Sequence, residues 1–250
     1  MAAQRRADAA GQGRRCQIAL VVPVLDERRQ LPALAAELAR AARRCEVVVV
    51  DGGSADGTRD ALTELAQPRC PERGVGLRVL DAPRGRAAQM NAGARATGAP
   101  IVLFLHADTR LCPHAFDAVE QAVTAGAVGG CFRVRIDSPD PRLRLASGII
   151  NLRSRLLASA TGDQAIFVRR DVFDRIGGYR EMPLCEDLDL VGRLSRQGRF
   201  VLCDGEVTTS ARRWREHGIA RTIALMWALR LAWHLGVPAE RLARFYGDAR

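Results

Sequence analysis

Short apolar runs alternate with longer amphipathic stretches along the first half of the chain. Residues 18–25 (IALVVPVL) read as a buried strand, and residues 31–42 (LPALAAELARAA) repeat apolar side chains at helical spacing. A second apolar strand over 46–50 runs into DGGSADGT and then an amphipathic helix through Leu65. A short strand over 77–80 precedes a helix over 85–96 (GRAAQMNAGARA). The stretch IVLFLHADT, 101–109, puts five apolar residues ahead of His106-Ala107-Asp108, and a helix over 113–125 follows. Repeated strand-helix alternation predicts an α/β fold, with a doubly wound, mostly parallel central sheet flanked by helices. In such sheets ligands bind beyond the carboxyl ends of the strands, where HAD and DGGS both fall.

The pattern changes from Gly129. Residues 131–136 (CFRVRI) alternate as a half-exposed strand, 142–160 form a basic, loosely amphipathic helix, and 162–168 (GDQAIFV) begin as a turn and become a strand. PLCED at 183–187 opens a helix reaching Arg196. A strand over 200–203 leads into a loop ending in Ala211-Arg212-Arg213-Trp214, and 219–235 is apolar nearly all round. The expected organisation is a tail over 1–15, a domain over 16–214 with a nucleotide-binding half (16–125) and an acceptor half (126–214), and a C-terminal helical extension over 215–250.

Composition changes this picture little. The net charge is +10, yet all 38 basic residues are Arg and none is Lys. With so many alanines, this reflects a coding bias more than a basic patch, and no nucleic-acid motif accompanies it. The charge is mild support for an anionic ligand or membrane surface. Seven widely spaced cysteines without a CxxC pair exclude a disulfide framework and a structural zinc site. They fit a reducing, cytoplasmic setting. No segment has signal-peptide character or the length of a membrane span.

Candidate chemistry gathers at strand ends. Asp51 and Asp108 each follow a buried strand, where a carboxylate is costly unless it meets a cation or donors. Asp51 suits a base N–H, and Asp108 suits Mg²⁺ or Mn²⁺ against a diphosphate; helix capping is the plain alternative for either. Glu186, Asp187 and Asp189 crowd a helix start. That placement favours the helix dipole, and crowding among like charges also tunes a general base. Arg212, Arg213 and Trp214 offer a diphosphate clamp with an aromatic cover, although arginines are solvated by default.

In this order the motifs resemble those of family 2 glycosyltransferases of the GT-A type. Pro23-Val24-Leu25-Asp26-Glu27 is similar to the first-strand motif, and Asp51-Gly52-Gly53-Ser54 with Asp56-Gly57-Thr58 to the second. His106-Ala107-Asp108 falls at the DxD position, Glu186-Asp187 at the ED motif, and Ser210 to Trp214 at a degenerate QxxRW. The helix bearing Arg86, Gln89 and Asn91, with the turn Gly162-Asp163-Gln164, is similar to that of small members known as selenodomain-associated transferases. The resemblance implies an inverting, metal-dependent transfer from a nucleotide-diphospho-sugar, UDP-linked before GDP-linked, to an acceptor hydroxyl. It implies a donor site of Pro23, Val24, Leu25, Glu27, Asp51, Gly53, Ser54, Asp56, Arg86, Asn91, His106, Ala107 and Asp108, with Asp108 on Mn²⁺ or Mg²⁺. Asp187, beside Glu186, is the implied base, Arg213 and Trp214 steady the leaving group, and Gly162, Asp163 and Gln164 meet the acceptor. Leu25, His106 and Ser210 depart from the family pattern.

Two rivals are weaker. A nucleotidyltransferase needs a basic Gly-rich loop after the first strand, where Asp26-Glu27 is acidic. A nucleotide-sugar sensor without catalysis would not require Asp108 and Asp187. The segment 219–235 fits packing on the core or on a second copy in a homodimer, or a peripheral contact with the inner face of a membrane; packing is favoured because no clean charged face exists.

Overall fold

The computed structural model describes residues 17–67 and 76–246. The expected N-terminal tail lies outside the described residues. Strands β1 (Ile18–Val24), β2 (Glu46–Asp51), β3 (Leu77–Asp81) and β4 (Ile101–Phe104) pair in parallel in the order β3-β2-β1-β4. Every residue of β1 and β4 is buried, as strands covered on both faces must be. Helices α1 (Leu31–Ala41), α2 (Thr58–Ala66) and α3 (Arg86–Arg95) make the crossovers.

The second half extends the same sheet to eight strands. β7 (Phe167–Arg169) pairs antiparallel with both β4 and β6 (Gly129–Asp137), β8 (Phe200–Ser210) runs parallel to β6, and the two-residue β5 (Thr109–Arg110) closes the edge antiparallel to β8. The register of β6 on β8 shifts between Phe132 and Arg133.

Two cores cover the two faces. One joins Leu34 and Leu38 of α1 and Phe116 and Val119 of α4 (Ala115–Thr124) to Leu20, Val49 and Leu103. The other joins Met90 and Ala94 of α3, Phe173 of α6 (Arg170–Arg175) and Leu190 and Leu194 of α7 (Glu186–Ser195) to Val21, Val48 and Val102. A third, small cluster seats Trp214 of α8 (Arg212–His217) against Ile136 and against Leu143 of α5 (Pro141–Leu157). Ile219, Ile223 and Met226 of α9 (Ile219–His234) pack on it, and α10 (Ala239–Tyr246) completes the described chain.

The pattern along the chain located most of these elements, and three departures bear on how they pack. The expected loop after Cys203 is the continuation of β8, because Cys203, Val207 and Thr209 are buried against β6 and β5. The short helix α6 begins directly at the end of β7, too brief for a helical period to show. Helix α9 buries only Thr222 and Leu229 and leaves Trp227, Leu231 and Leu235 exposed, so its packing is confined to one edge. Among the described residues no helix is long and apolar enough to cross a membrane.

Candidate active site

At the carboxyl edge of the parallel strands, the loops after β1 and β2 lock together through backbone donors. Asp51, 2% exposed, accepts from Gly53 N and Ser54 N at 2.9 Å each and from Ser54 Oγ. Ser54 Oγ in turn accepts from Asp26 N at 2.9 Å, and Asp26 Oδ1 accepts from Ala55 N at 2.8 Å. Asp56 accepts from Arg28 N and Thr58 N at 2.9 Å each. Beneath them Gln89 Nε2, fully buried, donates to Val24 O and Val50 O at 2.8 Å, tying the last turns of both strands to α3. Gly53 needs its freedom here, with φ at +88°.

Opposite this frame, α7 presents its acids. Asp187 Oδ2 accepts from Gly162 N at 2.8 Å, while Oδ1 is buried and has no protein partner. Burial, and then the charge of Glu186, push Asp187 up to about 7, against the lowering influence of Arg86 and the Gly162 amide. Arg86 Nη1 lies 3.9 Å from Glu186 Oε1 and keeps about a third of its side chain in solvent (32%). Burial opposes charge on Arg86, but Glu186 and Asp187 outweigh it and raise its affinity for the proton. Asp189 points elsewhere, paired with Arg193 at 2.7 Å and Arg180 at 3.2 Å.

His106 packs on the glycine whose amide holds Asp187. Its Nε2 is buried without a partner. A Cβ on Gly162 would lie 2.2 Å from that nitrogen and 2.9 Å from Asp187 Oδ2, so ring, glycine and carboxylate meet closely. Burial, with Arg86 and Arg213 nearby, holds the imidazole well below its ordinary range, so the ring is neutral. Tyr179, also buried, feels the charges of Asp187 and Glu186.

The segment after β8 closes the other side. Arg212 makes a two-pronged pair with Glu27, 3.3 Å at each contact, bridging α8 to the loop after β1. Burial raises the Glu27 carboxyl, Arg212 opposes that, and the charge of Asp108 adds to it. Asp108, partly exposed, lines a cleft of about 270 Å³ with Ala107, Thr209, Ser210 and Arg212. Arg213 stacks on the Tyr246 ring of α10 at 5.4 Å.

Not every residue singled out from the sequence faces this space. Asn91 spends its amide on the backbone of Tyr179, 2.8 Å to O and 2.9 Å from N. Gln164, wholly buried, bonds Phe132 O, Ser154 and Thr161 N. Trp214 packs in the third core cluster. Pro23 and Val24 are buried strand residues, whereas Leu25 and Asp163 are partly exposed. Gln89 is the reverse case: the sequence marks it only as a polar residue of the helix, and it is the buried tie between two strands. Periodicity gives no sign of it, because α3 is buried nearly all round.

Residues 19–180 match the family model for glycosyl transferase family 2. The chain belongs to that family. Its fold is the GT-A fold. Over 144 residues it is 31% identical to an undecaprenyl-phosphate 4-deoxy-4-formamido-L-arabinose transferase of Pectobacterium carotovorum subsp. carotovorum (strain PC1), covering 55% of this chain and 43% of that protein. The chain therefore spans less than half the length of this curated relative. In structure it is similar to the mannosyltransferase PcManGT of Pyrobaculum calidifontis, solved with GDP-Man and Mn²⁺ (TM-score 0.64, 19% identity, 93% of this chain and 68% of that one). It is also similar to S. aureus TarS 1-349 in complex with UDP-GlcNAc (TM-score 0.59, 18% identity, 78% and 58%).

Proposed function

We propose that the protein transfers a sugar, with inversion, from a nucleotide-diphospho-sugar to an acceptor hydroxyl, with Asp187 as the general base. The observation that carries this reading is the environment of Asp187. One oxygen is fixed by the Gly162 amide, the other is buried and unpartnered, and the carboxyl is pushed up to about 7. A base near neutral pH is half ionised yet strong enough to take a hydroxyl proton as that oxygen becomes a nucleophile. Oδ1 takes the proton, the acceptor oxygen bonds the anomeric carbon from the face opposite the diphosphate, and the old carbon–oxygen bond breaks with its electron pair leaving on the diphosphate.

The donor would lie across the locked loops, with Asp51, Ser54, Asp56, Glu27 and Arg86 along the nucleotide and Arg213 toward the diphosphate. Its nucleotide is UDP in this proposal, and thermal shift against UDP- and GDP-sugars checks that choice. A divalent metal fits as an ion that arrives with the donor. No group of three metal-ligating side chains exists among the described residues, while Asp108 supplies hard oxygen and a diphosphate supplies the rest. When bound, Mn²⁺ or Mg²⁺ would neutralise charge gathering on the leaving diphosphate. Neutral His106, packed beside the base, supports Asp187 and is not assigned to the metal.

The deciding experiment is Asp187→Asn, with release of nucleoside diphosphate and donor affinity measured in parallel. Loss of turnover with donor affinity kept is expected; turnover equal to the parent would remove the base from Asp187. Calorimetry of Asp108→Ala should show that Mn²⁺ no longer tightens nucleotide binding; an unaltered Mn²⁺ effect would take Asp108 off the metal.

A further inference from the structure

Arg86 of α3 and Arg213 of α8 both act on the buried ring of His106, so two guanidiniums from distant parts of the chain converge on one place. Neither has a carboxylate at hydrogen-bond distance among the described residues. Arg86 has only its contact with Glu186 at 3.9 Å, and Arg213 has no ion pair, whereas its neighbour Arg212 is taken by Glu27. What Arg213 does meet is the ring of Tyr246, with 5.4 Å between the guanidinium carbon and the ring centre. Tyr246 also lies within electrostatic reach of Arg86. An aromatic ring takes the face of a guanidinium and leaves its N–H donors in the plane, where phosphate oxygens bind. Stacking on Tyr246 therefore sets the direction of the Arg213 donors without using them.

Helix α10 is turned so as to deliver this ring. Ala239, Leu242 and Tyr246 stand at i, i+3 and i+7 on one face; the first two are buried and Tyr246 is half-buried. Phe245, the more apolar ring, is left 76% exposed. Burial alone would turn Phe245 inward, so the contact of Tyr246 with Arg213 is what the orientation serves. The helix has eight residues and packs on α9. A helix that short does not persist by itself in water and depends on contacts of this kind.

We propose that Tyr246 is a positioning residue of the donor site: stacked on Arg213, it aims that guanidinium at the donor diphosphate, and the bound diphosphate in turn fastens α10 beside the site. This rests on the transferase reading above, which turns Arg213 toward the diphosphate. It gives donor binding a contribution from a helix beyond residues 19–180, the stretch that the family model matches. The coupling is reciprocal, because whatever α10 adds to diphosphate affinity, the diphosphate adds to the seating of α10.

The test is calorimetry of UDP and UMP, and of GDP and GMP, on the parent, Tyr246→Ala and Tyr246→Phe. Diphosphate affinity is expected to fall about five- to tenfold in Tyr246→Ala and to stay within about twofold of the parent in Tyr246→Phe, which keeps the ring. The monophosphates, which lack the second phosphate, should bind all three proteins alike. In an Arg213→Gln background, adding Tyr246→Ala should cost less than about twofold, since the ring acts through that guanidinium. Four results would overturn the proposal: parental diphosphate affinity in Tyr246→Ala, an equal loss for mono- and diphosphate, no rescue by Tyr246→Phe, or the same loss with and without Arg213. A parent that binds no nucleoside diphosphate would strike the donor reading of the transferase itself. Diphosphate binding that ignores Tyr246 strikes this inference alone.

Discussion

As the proposed base, Asp187 would couple catalysis to stability through one proton. Its carboxyl is raised in the folded chain from 3.8 to about 7, so the folded state holds the proton more tightly than the unfolded one. The stabilising contribution is present in full below pH 4 and is lost as the pH climbs toward 7, up to about 4 kcal/mol for a shift of this size. Asp187→Asn is therefore expected to melt higher than the parent at pH 8, with the difference shrinking toward pH 5; a lower melting temperature at pH 8 would contradict the burial argument. In the parent, kcat/KM should rise with an apparent pKa near 7, and a flat profile from pH 6 to 8 would detach Asp187 from proton transfer. Gly162 is the second sensitive residue. Gly162→Ala forces a methyl into His106 and the base, and about a hundredfold loss of kcat is expected, measured on protein that still folds. The acids were readable in the sequence because they crowd a helix start. The packing of His106 on Gly162 was not, because 56 residues separate partners whose contact depends on β7 entering the sheet.

At the scale of elements, α3 acts as a fastener. Gln89→Leu would take a buried amide donor from the carbonyls of Val24 and Val50, of which Val24 O keeps the Gly52 amide at 3.0 Å; a buried hydrogen bond lost without replacement costs about 1–3 kcal/mol. Urea unfolding should report a loss of about 1–3 kcal/mol, and a change under about 0.5 kcal/mol would mean that water or neighbouring backbone replaces the amide. The parallel half of the sheet was legible because continuous apolar strands and intervening helical periods are local signals. The length of β8 was not: its second half, DGEVTTS, reads as loop, and only pairing with β6 and β5 makes it strand. Nor does Tyr246 stand out in the sequence, since the contact with Arg213 that marks it is a property of packing.

For the molecule as a whole, the +10 charge sets the response to salt. Several ion pairs, such as Arg44 with Asp117 and Arg110 with Asp137, join side chains about half exposed, and pairs of that kind contribute little. Self-repulsion is the larger effect, so raising NaCl from a few millimolar to physiological strength should raise Tm. A fall in Tm would show that the ion pairs outweigh the repulsion.

The placement of β7 carries a mechanical consequence. It is hydrogen-bonded to β4 on one side and β6 on the other, so the parallel strands and the strands of the second half are a single continuous plate. Such a plate offers no crease about which the two halves could swing shut. Motion that admits and releases substrates is left to the helices after β8, tethered to the sheet side by Arg212 on Glu27 and to one another by Arg213 on Tyr246. In hydrogen exchange, amides of β1, β4, β7 and β6 should open together and slowly, with those of α8 to α10 opening far sooner and slowing when donor is added.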